Sequence, residues 1–491
     1  MKALFLNPPR FHELVGKNPS VIEHNRGYNP PLGILALATS VKKFTGDKHS
    51  VEVLDCQPRQ LTHEQMEAYF EENSFDVVGI TAMTFTLIDV IMIARTIKRT
   101  NPECKVVLGG PHVHIYPEET INLECVDYLI QGEGELAILD FLEALEGKRS
   151  FLSVPGIVYK DNGQVVNNGI APKIPDLDQV PYPDRRLLPI EHYGSLLGRH
   201  NLTTTMFTSR GCPFRCTFCD RPMSPTISGF RWRSAQHVVD ELEEIVGMGI
   251  SEVLIYDDTF SVRKDRVLEI CDEILSRGVK VTWDVRAHVN TVNADLLKRM
   301  KQAGCDRIHY GVESGNDRML KVIKKNTKVK RVKQTFAETR KAGIEALAYF
   351  MIGQQTETQS DILDTMQLAK DLKPDYCHFT IFCPYPATEI YETGLARGFI
   401  KEDVWRNFSK DPHPGFQLPV WEENFTREEL YEWVVKCYKS FYSRPGYALR
   451  RLARVRRFGE LKRKVRAGLA VLMMKPDEVD KLDLRKATKV E

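Results

Sequence analysis

The sequence predicts an α/β protein: two successive parallel-sheet domains, then a helical C-terminal region. Three observations carry the prediction. Short apolar runs alternate with amphipathic helical patterns up to about residue 145. The same rhythm resumes at Thr203 and runs through six strand-then-helix units. Between them lies a stretch broken by Pro172, Pro175, Pro181, Pro183 and Pro189. Alternation of this kind makes the strands parallel, because each return to the same sheet edge needs a crossover long enough to hold a helix.

Composition agrees. The 491 residues are 42% hydrophobic and 27% charged, which suits a globular protein with a sizeable core, and a net charge of +2 excludes a partner chosen by bulk charge. The eleven cysteines, Cys56, Cys104, Cys125, Cys212, Cys216, Cys219, Cys271, Cys305, Cys377, Cys383 and Cys437, are odd in number and scattered. That is not a secreted disulfide framework, and outside one triplet they lie in apolar runs as buried thiols. The run from Met1 to Pro8 is too short for a secretory leader, and no apolar stretch reaches bilayer length. A reducing cytoplasm is the expected location.

In the first domain Lys2–Asn7, Val51–Cys56, Asp76–Met83, Lys105–Gly110 and Tyr128–Gln131 read as buried strands. Leu32–Phe44, Leu87–Thr100 and Glu135–Leu145 read as helices. Ligands on open parallel sheets bind at the carboxyl ends of the strands. The informative residues therefore end each run: Asn7-Pro-Pro-Arg10, Thr81-Ala-Met-Thr84, Gly109-Gly-Pro-His112 and Gly132-Glu-Gly-Glu135. Glycines there let a ligand approach the backbone, and tight turns are their plainer use. Beyond 145, Asp161-Asn-Gly163 signals a hairpin turn, and the proline-rich remainder reads as a joining segment across the two domains.

The second domain offers strands over Thr203–Ser209, Glu252–Tyr256, Lys280–Arg286, Arg307–Val312, Ala346–Ile352 and Cys377–Phe382. Helices fall over Ala235–Gly247, Asp265–Arg277, Ala294–Ala303, Lys330–Ala342 and Asp361–Leu372. Just after the first strand comes Ser209-Arg-Gly-Cys-Pro-Phe-Arg-Cys-Thr-Phe-Cys-Asp220, which sets Cys212, Cys216 and Cys219 in a C-x3-C-x2-C pattern. Thiolates select zinc, copper(I) or iron–sulfur clusters. A closed zinc site needs four protein ligands, and no second pair lies nearby. A [4Fe–4S] cluster held by three thiolates keeps one iron open for chemistry.

This cysteine spacing resembles the signature of the radical S-adenosylmethionine superfamily, and Phe218 matches its habit of an aromatic before the third cysteine. The resemblance implies a partial (β/α)6 barrel over 201–400, with the open iron chelated by S-adenosylmethionine and a 5′-deoxyadenosyl radical as its product. It also implies an electron donor such as a flavodoxin or ferredoxin. At the strand ends it implies cofactor contacts from Asp257 and Asp258, with a helix N-cap as the alternative, since Asp258 precedes a helix. Arg286 suits a carboxylate, because its planar fork binds one bidentately. Glu313 and Ser314, in Tyr310-Gly-Val-Glu-Ser-Gly315, would meet the ribose or amino group, and Gly353 the adenine side. Cys383, Tyr385 and Tyr310 are candidate hydrogen-atom or proton donors, with packing as the plainer reading. Ala387 stands where a glycine is common.

The first domain resembles the flavodoxin- or Rossmann-like cobalamin-binding domain found ahead of many such barrels. It is expected over 1–145, with 146–200 as linker. Asn7, Thr81, Gly109, Gly110, Gly132 and Glu133 would then line cobalamin. His12 lacks the Asp-x-His-x-x-Gly spacing of cobalt-ligating domains, and His112 and His114 lie elsewhere, so no protein histidine on cobalt is expected. The joint resemblance implies a cobalamin-dependent methyltransferase acting on an unactivated carbon of a lipid or other apolar substrate. Its alternative is a radical cyclase or oxidase of a tetrapyrrole or lipid. A cofactor-binding regulator without turnover is a third class.

Residues 401–443 read as helices covering one barrel end. In the basic tail, 447–472, Leu449, Leu452, Val455, Phe458, Leu461 and Val465 repeat at helical spacing opposite Arg450, Arg451, Arg454 and Arg457. Such a helix either lies in a membrane interface or docks on the barrel. No aromatic-interleaved groove accompanies the charge, so no nucleic acid is expected.

Overall fold

β1 (Lys2–Asn7) has four consecutive buried residues, Ala3 to Leu6, so both of its faces are covered. That is how a central parallel strand is built. It lies between β2 (Ser50–Asp55) and β3 (Val77–Thr81), with β4 (Lys105–Gly109) and β5 (Tyr128–Ile130) beyond, all parallel. The order β2-β1-β3-β4-β5 is flavodoxin-like and changes direction between β1 and β3, where such sheets bind ligands. The computed structural model describes residues 1–14, 27–194, 202–224 and 229–452, with Leu469 and Met473 beyond them.

The expected linker is part of this sheet. β6 (Ile157–Asp161) and β7 (Gln164–Asn167) form the hairpin, with Asn162 and Gly163 at φ 49° and 81°, and β6 pairs antiparallel with β5. Pairing satisfies the free edge of β5, which a loose connector would leave open. The first unit therefore runs to Gly194 rather than 145, and it also takes in Lys401–Gln417. Of the segment 401–443 expected to cover the barrel, 401–417 therefore belongs to the first unit and only the remainder to the second. In that segment Arg406 forms an ion pair with Glu119, which draws helix Val404–Lys410 onto the first unit. A helix the sequence reading missed, His63–Glu72, opens on a capping box of Thr62 and Gln65.

In the second unit six parallel strands follow in chain order across the sheet. They are β8 (Thr204–Met206), β11 (Glu252–Ile255), β12 (Thr282–Ala287), β13 (Cys305–Glu313), β14 (Glu345–Ile352) and β15 (Tyr376–Ile381). β9 (Ser209–Arg210) and β10 (Arg231–Trp232) form a separate antiparallel pair. One sheet face packs on helices: Trp283 donates its indole N–H to Ala303 O at 2.8 Å, and the ring of Tyr310 lies 5.2 Å from Phe336. The opposite face carries Asp284, Arg286, Arg307, His309, Glu345, Tyr349, Tyr376 and His378, as the strand registers require.

The edge strand β15 is covered by helix Arg427–Tyr442. Phe379 N donates to Tyr438 Oη at 3.2 Å, and Tyr442 Oη both accepts from Cys377 N at 3.0 Å and donates to Cys377 O at 2.7 Å. At the amino ends of the strands, Arg307 pairs with Asp284 at 2.7 Å and Glu345 at 3.0 Å. Arg451, from helix Pro445–Leu452, joins Glu345 at 3.2 Å and Asp375 at 2.9 Å. Arg451 is therefore buried in an ion network and does not belong to a solvent or membrane face, which corrects its place in the basic stripe. Apart from Leu469, residues 453–472 of that stripe lie outside the described residues. No helix among the described residues is long and apolar enough to cross a membrane.

Candidate active site

The loop after β8 is held before it begins to bind anything. Asp257, fully buried at the end of β11, accepts from Thr208 N at 2.7 Å, Ser209 N at 3.0 Å, Thr208 Oγ1 at 2.6 Å and Ser209 Oγ at 2.6 Å. Arg266 Nη2 and Arg233 Nη1 donate to Thr208 O and Phe207 O, both at 2.7 Å. All four acceptor sites of the carboxylate are used. Asp257 therefore positions the loop and is not a cofactor contact, contrary to the sequence reading. Its neighbour Asp258 accepts from Arg221 Nε at 3.0 Å and does not cap the helix that begins at Lys264.

The three cysteines sit in the loop so anchored. Cys212 Sγ lies 3.5 Å from Thr259 Oγ1, and Cys219 Sγ has a 3.8 Å contact to Asp220. Burial pushes the Cys219 thiol up to about 12. Burial also raises Cys216, against the pull of Lys325. Three soft sulfur ligands beside a buried ammonium suit an iron–sulfur cluster. Loop positions are fixed from outside too: Phe214 stacks on His288 with centroids 4.0 Å apart, and Thr217 N donates to Ile323 O at 3.1 Å.

Lys325 was not foreseen. It is buried, and its Nζ lies 2.8 Å from Glu313 Oε1. Glu313 holds φ at 71°, beside a register shift between β13 and β14. A Cβ on Gly311 would lie 2.2 Å from Glu313 Oε1, and one on Gly315 would lie 2.2 Å from Thr365 N. Both glycines of the segment thus have packing reasons. Ser314 is fully buried with its hydroxyl 3.4 Å from Thr365, so it faces helix Gln359–Leu372 and not a ligand, a correction. Tyr310 is corrected likewise: its hydroxyl is 2.9 Å from Thr339 on the helix side, and burial pushes its pKa up. Nothing in the sequence marks Lys325, since a buried lysine is defined only by its remote partner.

Arg286 lies with its guanidinium carbon 3.7 Å from the ring centroid of Tyr256 and has no ion pair among the described residues. Gly353, at φ 80°, donates its N–H to Glu357 at 2.5 Å, and a Cβ would lie 2.7 Å from Leu430. Cys383 is buried, its thiol pushed up by burial, and it is within hydrogen-bonding reach of Tyr385. The structure brings those two candidates together and leaves Tyr310 apart.

In the first unit the strand ends differ. Asn7 Nδ2 donates to Asp55 at 2.8 Å. Gly110 and Gly132 both hold φ at 100°, but a Cβ on either would meet the chain itself, at Ala82 O and Ala171, 2.8 and 2.9 Å away. Glu133 accepts from Ile174 N at 2.6 Å. Gly110, Gly132 and Glu133 thus each have a local packing role. Only Gly109 of these has open space, its nearest neighbour being Ile130 O at 3.9 Å, and Thr81 lies beside it in register. Burial holds His112 at about 3 and His114 at about 4, both neutral.

Comparison with known proteins fits this picture. Residues 206–369 match the model of the radical SAM superfamily, and residues 20–142 that of the B12 binding domain. The chain is 34% identical to an uncharacterized methyltransferase of Pyrococcus horikoshii over 85% of this chain and 88% of that protein. The chain belongs to the radical S-adenosylmethionine superfamily. It is 27% identical to the anaerobic magnesium-protoporphyrin IX monomethyl ester cyclase of Rubrivivax gelatinosus, over 85% of this chain and 74% of that protein. Its fold is shared with the cobalamin-dependent S-adenosylmethionine radical enzyme OxsB, at TM-score 0.71 and 16% identity over 96% of this chain and 72% of that one. As a superfamily member with a B12 binding domain, it is an enzyme whose cofactors are a [4Fe–4S] cluster, S-adenosylmethionine and cobalamin.

Proposed function

We propose that this radical SAM enzyme transfers a methyl group to an unactivated carbon of a small molecule, a lipid or another largely apolar compound. The observation that carries the reading is a B12 binding domain and a radical SAM domain in one chain, with a relative at 34% identity in Pyrococcus horikoshii that is named a methyltransferase. When bound, the cluster with S-adenosylmethionine supplies hydrogen-atom abstraction, and the corrinoid supplies the methyl group.

The chain's own residues take distinct parts. Cys212, Cys216 and Cys219 hold three irons. Asp257 keeps their loop in place, and Lys325 offsets the negative charge of the thiolates. Arg286, raised on Tyr256, binds a carboxylate of S-adenosylmethionine through its fork. Asp258, after β11, and Gly353, after β14, stand at strand ends of the same sheet for its amino group and adenine. Arg286, His309, Tyr349 and His378 share one face of the sheet. That polar face favours a substrate carrying a polar end over a bare hydrocarbon. Cys383, within hydrogen-bonding reach of Tyr385, would serve as hydrogen donor. Gly109 and Thr81 border the corrinoid. No protein histidine on cobalt is expected, because His12 lacks the Asp-x-His-x-x-Gly spacing, and spectra of the loaded protein test this.

The second reading is ring closure or oxidation without methyl transfer, favoured by the 27% identity to the cyclase of Rubrivivax gelatinosus. Anaerobic turnover with S-adenosylmethionine deuterated at its methyl group separates them. Label in product supports methyl transfer. Formation of 5′-deoxyadenosine with unlabelled product supports the second reading, and no 5′-deoxyadenosine at all overturns both.

A further inference from the structure

The first unit contains a cluster of side chains that neither cofactor uses. Asp89, at the start of helix Leu87–Thr100, is fully buried. Its Oδ1 lies 2.9 Å from His12 Nδ1 and 2.9 Å from His63 Nε2, and its Oδ2 accepts from His12 N at 2.9 Å. His12 follows β1, and His63 opens helix His63–Glu72. The three ligand atoms all lie within 4.8 Å of one another.

From this geometry we propose that His12, His63 and Asp89 bind one divalent first-row transition ion, with zinc as the fitting probe. Four features support it. Two imidazole nitrogens and a carboxylate oxygen converging on one point are a donor set for zinc or iron(II), with further positions open to water. The second carboxylate oxygen is already held by a backbone N–H, the kind of outer contact that fixes a metal-ligating carboxylate. Nδ1 of His63 is buried without a hydrogen-bond partner, so the ring is turned to aim Nε2 at Asp89 and not to satisfy both nitrogens. Asp89 also has no Lys or Arg ion pair among the described residues, and burial of a lone carboxylate calls for a cation. On binding, the ring protons move to Nε2 of His12 and Nδ1 of His63. The ion would tie together residues 12, 63 and 89 at the carboxyl edge of the first sheet.

The test is zinc uptake by the full-length protein loaded anaerobically with its cluster, so that Cys212, Cys216 and Cys219 are occupied. Zinc is titrated against a chromogenic chelator and counted per chain. One zinc per chain is expected in the wild type, with a rise in the unfolding temperature on addition. Both effects are expected to vanish in His63→Ala and in His12→Gln. Unchanged iron content and cobalamin absorbance show that each variant has folded. No zinc taken up by the wild type, or equal zinc in wild type and both variants, overturns the site. Failure of methyl transfer leaves this result unaffected.

Discussion

Asp89 in the first unit and Asp257 in the second are both completely buried, and the two are satisfied in different ways. Asp257 takes four bonds from two backbone N–H groups and two hydroxyls, all neutral and all on consecutive residues. Asp89 takes three, from one backbone N–H and two imidazoles that come from separate elements. Neutral donors cannot leave when the solvent changes, so the first arrangement is permanent. Imidazoles can exchange a proton for a metal, so the second is open to chemistry. The radical-generating loop is fastened by the inert kind.

The strongest way to break this comparison is Asp257→Asn. The amide oxygen can keep the two backbone N–H groups, but the new N–H₂ forces both hydroxyls to turn and accept, and all four bonds lose their charge assistance, at about 4 kcal/mol. Denaturant unfolding of the cluster-free protein measures the loss, and iron per chain should fall with it. A cost under about 1 kcal/mol would mean the four bonds are not what anchors the loop.

Next comes the charged pair beside the cysteines. Lys325→Met leaves Glu313 buried and uncompensated, at about 3–4 kcal/mol. Adding Glu313→Gln should restore much of that, and a double-mutant cycle reads the difference. Additive losses would show that the two side chains act separately.

A third buried carboxylate sharpens the contrast through pH. Glu357 accepts from Gly353 N and Gln354 N, but its Oε1 has no partner, and burial raises its pKa from 4.5 to about 7. Its neutral form therefore contributes stability that is full below 4.5 and lost as pH rises through about 7. Glu357→Gln should flatten the stability profile over that interval. An unchanged slope would place the titration elsewhere.

Asp89→Asn in zinc-free protein should cost only about 1–2 kcal/mol, because a single backbone donor opposes the new amide and the rings can turn. A loss matching that of Asp257→Asn would erase the distinction between the two carboxylates. Smallest is Ala387→Gly. Ala387 holds φ at 55°, which explains why a glycine suits that position, and the change should stabilise by about 1 kcal/mol in thermal unfolding.

Much of this was legible in the chain. The apolar runs ending at Asn7, Gly109 and Glu313 placed the strands, and the cysteine spacing placed the cluster. Helix His63–Glu72 announced itself only through Thr62 and Gln65, because just Met66 and Phe70 face the core. The readings that failed have one cause. Asp257 and Ser314 were taken as ligand contacts from the family resemblance of their strand-end segments, and Tyr310 as a proton-donor candidate beside its packing role, but a strand has two faces and a polar residue can turn to either.

What the sequence determined by itself is what depends on neighbours: strand and helix periodicity, turn chemistry at Asn162-Gly163, and three thiols close enough to share one cluster. Only the tertiary structure decided which polar side chains face a ligand and which hold the frame. Asp257 meets Thr208 and Ser209, Lys325 meets Glu313, and Asp89 meets His12 across 77 residues. A hydrogen bond or ion pair depends on distance in space, and the fold sets that distance for residues that local pattern never brings together.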